Sequence, residues 1–135
     1  MPRAVFETRF FIHLFSSPDP RIHSLLLKLM RRYDRRLVSA VTLFEIYKIS
    51  LEREGRETAE TRISRIRNEF SLIPVDDVIA VEGARLKHSV KIRTGRDTPM
   101  GDSLIAATSI VNKAVCVTDS PHLDKIPQLR RGWIH

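Results

Sequence analysis

The sequence predicts an α/β fold, a parallel sheet of four to five strands flanked by helices on both faces, with a helical hairpin over about residues 42–70. Three observations predict it. Short apolar runs of strand length alternate with segments of helical period along the whole chain. The run Ala114 to Thr118, AVCVT, is nearly continuously apolar, as a strand covered on both faces is. At 135 residues, with no internal repeat and no low-complexity linker, the chain has the size of one domain, expected over 1–135.

Taken in order, Arg3 to Phe6 reads as the first strand and Phe10 to Phe15 as a turn of helix that stops at Ser-Ser-Pro-Asp-Pro. Asp19 caps the next helix with Pro20 at its first position; Ile22, Leu25, Leu26 and Leu29 form its apolar face. Leu37 to Val41 is a second strand. Thr42 is then expected as N-cap, with Glu45 as capping-box partner, of a helix from Leu43 to Glu54 that Gly55 stops. A helix over Glu57 to Phe70, with Ile63, Ile66 and Phe70 on one face, completes the hairpin, and Glu52 is expected to pair with Arg56. Leu72 to Val75 is the third strand, and Asp76 or Asp77 opens a helix through Val90. Arg93 to Gly101 reads as loop. The helix Asp102 to Asn112 is apolar nearly all round and hence buried, AVCVT follows as a strand, and Gly132 to Ile134 makes an edge strand.

No apolar run approaches the ~20 residues of a membrane span, so a membrane partner is excluded at this level. The opening MPRAVFETRFF places charges where a signal peptide needs an apolar core. With a lone cysteine, Cys116, set between valines as a small buried hydrophobe, a cytoplasmic setting is expected. The formal charge of +7 favours polyanions such as nucleic acid.

Four acids interrupt apolar segments. Glu7 ends the first strand, Glu45 lies between Phe44 and Ile46, Asp102 begins the buried helix, and Asp119 ends AVCVT. In a parallel sheet the carboxyl ends of strands and the adjoining helix N-termini share one edge, where ligands bind. Carboxylates ~4 Å apart repel by about 4 kcal/mol per pair at an effective dielectric of 20, so their convergence requires a proton or a cation. An oxygen-only donor set favours Mg2+ or Mn2+ over zinc, and with a polyanionic partner the chemistry is metal-assisted phosphodiester hydrolysis.

The segments VFETRFFI, VSAVTLFEI, TPMGDSLIAATS and AVCVTDSPHL together resemble the four motif segments of PIN-domain ribonucleases, especially the VapC-type toxins of toxin–antitoxin pairs. The resemblance runs from Val5 to Leu123. It implies neighbouring first and fourth strands, Mg2+ or Mn2+ held by Glu7, Glu45, Asp102 and Asp119 as catalytic acids, and RNA as substrate. Thr118 takes the place of a supporting hydroxyl, and Ser120 falls where many members carry a further acid or amide. A homodimer and a protein antitoxin bound over the hairpin are also implied. Glu7 stands where the family has aspartate, and Arg9 where a small polar residue is common. Two readings of Arg9 stay open: it points outward to solvent or RNA, or it folds in as an internal cation that replaces the metal. The second leaves a catalytically impaired RNA-binding or regulatory module.

Arg93 and Arg96, with Arg31, Arg32, Arg35, Arg36, Lys91, Arg130 and Arg131, line an RNA path on one reading and a solvated basic face on the other. The histidines 13, 23, 88, 122 and 135 show no metal-ligand spacing. Tyr33 and Trp133 are assigned to packing before base stacking.

Overall fold

The computed structural model describes residues 2–134, so Met1 and His135, the ends of the expected domain span, lie outside the described residues. The elements are β1 (Arg3–Phe6), α1 (Thr8–Ser16), α2 (Pro20–Arg31), β2 (Arg35–Ser39), α3 (Ala40–Glu54), α4 (Arg56–Glu69), β3 (Ser71–Ile73), α5 (Asp77–Thr94), α6 (Met100–Val111), β4 (Val115–Val117) and β5 (Arg131–Gly132), with a 3-10 turn at Pro121–Leu123. All five strands are parallel, in the order β3-β2-β1-β4-β5. The expected α/β fold and the pairing of first and fourth strands are both present.

Strand alternation builds two cores. Phe6, Val38 and Val117 face the layer of α1 to α4, where they meet Phe10, Phe11, Leu26, Ile46, Ile66 and Phe70. Val5, Leu37 and Cys116, one residue away on each strand, face α5 and α6 and meet Leu86, Val90, Ile105 and Ala106. Cys116 is fully buried, and burial pushes its thiol up to about 12, so it packs as a hydrophobe. Trp133 lies edge-on to Phe10 at 6.4 Å and Tyr33 edge-on to Phe6 at 6.0 Å, which assigns both rings to packing.

Several local expectations are corrected. β2 ends at Ser39, whose hydroxyl accepts from Val41 N as the N-cap of α3, so Thr42 is a buried residue inside the helix and no capping box forms. The strand-to-helix junction offers two hydroxyls three residues apart, and sequence pattern alone does not choose between them. Leu25 is exposed because the buried stripe of α2 runs through Leu26, Leu29 and Met30. Glu52 pairs with Lys48, and Arg56 approaches Glu60, each one turn within its own helix. α5 runs on to Thr94, where Gly95 closes it in the left-handed conformation at φ 76°. No described helix is long and apolar enough to cross a membrane.

Chain order reverses at β1: the chain moves outward through β2 to β3, then returns to place β4 on the other side of β1. Parallel strands that part in this way leave a crevice at their carboxyl ends. Glu7 follows β1, and Thr118 to Ser120 follow β4, at that crevice.

Candidate active site

Beyond the carboxyl ends of β1 and β4 lies a cavity of about 420 Å3, walled by Glu7, Glu45, Asp102, Ser120, Arg9 and Phe44 among others. Three of the four acids singled out by sequence therefore share one cavity.

Glu7 is 3% exposed. Its extended backbone makes it the N-cap of α1: Oε2 accepts from Arg9 N at 2.9 Å, while Oε1 accepts from Thr118 Oγ1 at 2.5 Å. The capping role and the cavity position are compatible, because a carboxylate has about four lone-pair sites and these two bonds use half of them. Burial pushes Glu7 up to about 7, against the two hydrogen bonds, and the nearby charges of Asp102 and Glu45 push it further in the same direction.

Glu45 is carried by α3, one turn after its start, and Oε1 accepts from Thr8 Oγ1 at 2.5 Å. Thr8 is itself 3.1 Å from the Thr42 hydroxyl; since its proton goes to Glu45, Thr42 donates to Thr8. Burial raises the Glu45 carboxyl, the Thr8 bond opposes this, and Asp102 adds to the rise. Asp102 sits in the first turn of α6, favourable for a negative charge, and Oδ2 accepts from Ser120 Oγ at 3.1 Å. Gly101 permits this approach of α6 to α3, because a Cβ there would stand 2.8 Å from Glu45 Oε2.

Asp119 behaves differently. Its Oδ1 accepts from Arg9 Nε at 2.5 Å and its Oδ2 lies 3.0 Å from His13 Nε2, and it is not part of the cavity wall. Burial pushes its carboxyl up, but the bonds from Arg9 and His13 together outweigh this and hold it below the usual carboxylate range. Thr118 sets the opposite directions of Asp119 and Ser120: its hydroxyl accepts from Ser120 N at 2.9 Å, turning Ser120 inward. Arg9 lies on the cavity wall with its guanidinium fixed by Asp119; that bond raises its own pKa, and Glu7 and Asp102 add to the effect. Arg93 and Arg96 instead tie α5 and its following loop to the chain after β4, through Lys125 O and through Asp124 with Pro121 O.

The oxygen-only donors Glu7, Glu45 and Asp102, of which Asp102 raises the pKa of the other two, fit a hard divalent cation by their chemistry. Among the described residues no three acidic, histidine or cysteine side chains are grouped closely enough to hold an ion as they stand. Binding would draw the three carboxylates together. Sequence reasoning did not find Thr8, Thr42 or His13. A signal for His13 was present, since it is four residues after Arg9 and so on the same face of α1.

The PIN domain family model matches residues 4–129. Comparison with curated proteins gives no match. Among solved structures, the DNA-bound VapBC complex from Salmonella typhimurium contains a chain of TM-score 0.82 at 17% identity, covering 100% of both chains. VapBC2 from Rickettsia felis, bound to a DNA fragment from its promoter, gives 0.81 at 16% identity, covering 96% of this chain and 97% of that one. VapC20 from Mycobacterium tuberculosis, a sarcin–ricin loop cleaving toxin, gives 0.64 at 16% identity over 82% and 84%. At these identities the likeness is one of fold.

Proposed function

The chain belongs to the PIN-domain family, and from that premise we propose that it is a metal-dependent endoribonuclease, the VapC-type toxin of a toxin–antitoxin pair. The observation that carries the reading is the convergence of Glu7, Glu45 and Asp102 on one cavity, each oriented by a separate hydroxyl, from Thr118, Thr8 and Ser120. Glu7, Glu45 and Asp102 would hold Mg2+ or Mn2+. When bound, the cation neutralises charge on the scissile phosphate and makes an attacking water more acidic.

The remaining roles belong to the chain's own residues. Thr118, Thr8 and Ser120 fix the carboxylates, as hydroxyls behind ligating acids do, and such supporting bonds are worth about 10- to 100-fold in affinity or activity. Arg9, held in place by Asp119, which His13 in turn fixes, offers its outer guanidinium nitrogens to a phosphate oxygen at the cavity mouth. In this assignment Asp119 acts on RNA through Arg9, as a positioning residue and not as a fourth ligand. Phe44, 68% exposed on the cavity wall, presents a ring on which a base can stack. VapBC structures among the relatives in fold support a protein antitoxin, placed over the α3–α4 hairpin. A homodimer and a cytoplasmic site of action complete the proposal.

The position of Arg9 favours a second reading, an RNA-binding module in which this guanidinium neutralises the acids in place of an ion. Incubation of the purified protein with RNA separates the two. The nuclease reading expects cleavage with Mn2+ or Mg2+ that stops on adding EDTA. Retained RNA binding without cleavage under any divalent ion favours the second.

A further inference from the structure

The edge of the sheet opposite the cavity carries the chain's surplus charge. Parallel register brings the starts of the strands together there: Arg3 at β1, Arg35 and Arg36 at β2, Arg131 at β5 with Arg130 before it. Arg31 and Arg32 end α2 just before β2, and Lys113 links α6 to β4. The one acid in these segments is Asp34. Subtracting these eight cations and one acid from the 23 Lys/Arg and 16 Asp/Glu of the chain leaves 15 of each, so the net +7 resides at this edge.

None of the eight makes an ion pair among the described residues. Arg3 and Arg35 are register partners, about 4.8 Å apart along the sheet, and Arg131 shares their face through the Val5–Cys116 register. Arg36 Nε is buried with no protein acceptor among the described residues. Stacked like charges without counter-charges are unfavourable unless an anion lies across them. Helix C-termini account for cations at Arg31, Arg32 and Lys113, and for Arg3, whose Nη1 donates to Asn112 O at the end of α6 at 3.4 Å, but not for the other four arginines at strand starts. Cations elsewhere are frequently paired within the protein, including Arg9, Arg62, Lys87 and Arg96.

We propose that this basic edge binds the phosphate backbone of RNA, as an anchoring surface on the side of the sheet opposite the acidic cavity. The ligand class follows from the residue type: arginine forks pair bidentately with phosphate, and a row of them along one edge matches a repeating polyanion. The choice of RNA rests on the nuclease reading; the binding itself requires no cleavage.

The test is fluorescence anisotropy of a labelled single-stranded RNA with the full chain in EDTA, across a salt series. Wild type is compared with the quadruple variant Arg3→Gln, Arg35→Gln, Arg130→Gln, Arg131→Gln and with a control, Arg53→Gln with Arg67→Gln on the hairpin. All these positions are exposed, and melting temperatures check that each variant is folded. The quadruple variant is expected to bind at least tenfold more weakly, with the slope of log K against log salt shallower by about 2 to 3, at about 0.7 per lost phosphate contact. A single-stranded DNA of the same length, equally sensitive to the quadruple variant, supports backbone recognition. An unchanged slope, an equal loss per charge in the control, or displacement of RNA by poly-glutamate as readily as by unlabelled RNA would overturn the proposal. Absence of cleavage by wild type with Mn2+ or Mg2+ would sink the nuclease reading while leaving this binding result standing.

Discussion

Asp102→Asn is expected to lower RNA cleavage by about 100- to 1000-fold, the loss typical of removing one preorganised charge-stabilising group. The substitution keeps the shape and an acceptor for Ser120 Oγ, so the support seen at 3.1 Å survives. What it removes is a charge that is both a ligand for the cation and a repulsive neighbour of Glu7 and Glu45. Its melting temperature in EDTA should therefore equal or exceed that of wild type, while the thermal stabilisation by Mn2+ is lost. A variant that cleaves like wild type assigns the cavity some other task. A variant that is inactive because it is unfolded shows itself in the melting curve.

The second large effect is on stability. Phe6 is fully buried and lies edge-to-face with Phe10 at 4.8 Å and Phe70 at 5.2 Å, joining the sheet to α1 and to the end of the hairpin. Phe6→Ala removes these ring contacts and leaves a cavity that packed neighbours fill only in part, at a cost of about 3–5 kcal/mol. For a domain of this size the melting temperature should fall by roughly 10–20 °C. Chemical denaturation should show the lower midpoint with an unchanged m-value; a loss under 1 kcal/mol would mean that the aromatic cluster does not hold β1 against its helices. Because Phe6 precedes Glu7, the same variant should also bind Mn2+ more weakly, through looser placement of the acid.

Much of this was legible in the sequence because it depends on position along strands. Glu7 and Thr118 stand at strand ends and Asp102 in the first turn of a buried helix, and parallel register alone brings such positions to one edge. Ser120 came instead from the resemblance to the PIN-domain segments, by its place after AVCVTD. The direction of a side chain in a turn is a different matter. Asp119 and Ser120 are consecutive, and which one faces the cavity is decided by the Thr118 hydroxyl bonded to Ser120 N, a contact with no pattern in the sequence. The longer acid at position 7 follows the same logic: Glu7 reaches both Arg9 N and Thr118 Oγ1, bridging the start of α1 and the end of β4. Arg9 was legible as a residue of interest, but its partner Asp119, which His13 also bonds, lies 110 positions away and only the packing of α1 on β4 joins them.

If the three carboxylates of the cavity form a divalent-cation site, calorimetric titration with Mn2+ reads it out without any need for cleavage. Near pH 7, Glu7 is about half protonated in the ion-free protein, and binding must expel that share of the proton. Wild type should bind Mn2+ with an apparent enthalpy that differs between buffers of unlike ionisation enthalpy, and this difference should vanish well above pH 7. Asp102→Asn should give little or no heat. Equal heats from wild type and Asp102→Asn, or no binding by wild type at any pH, would contradict the account.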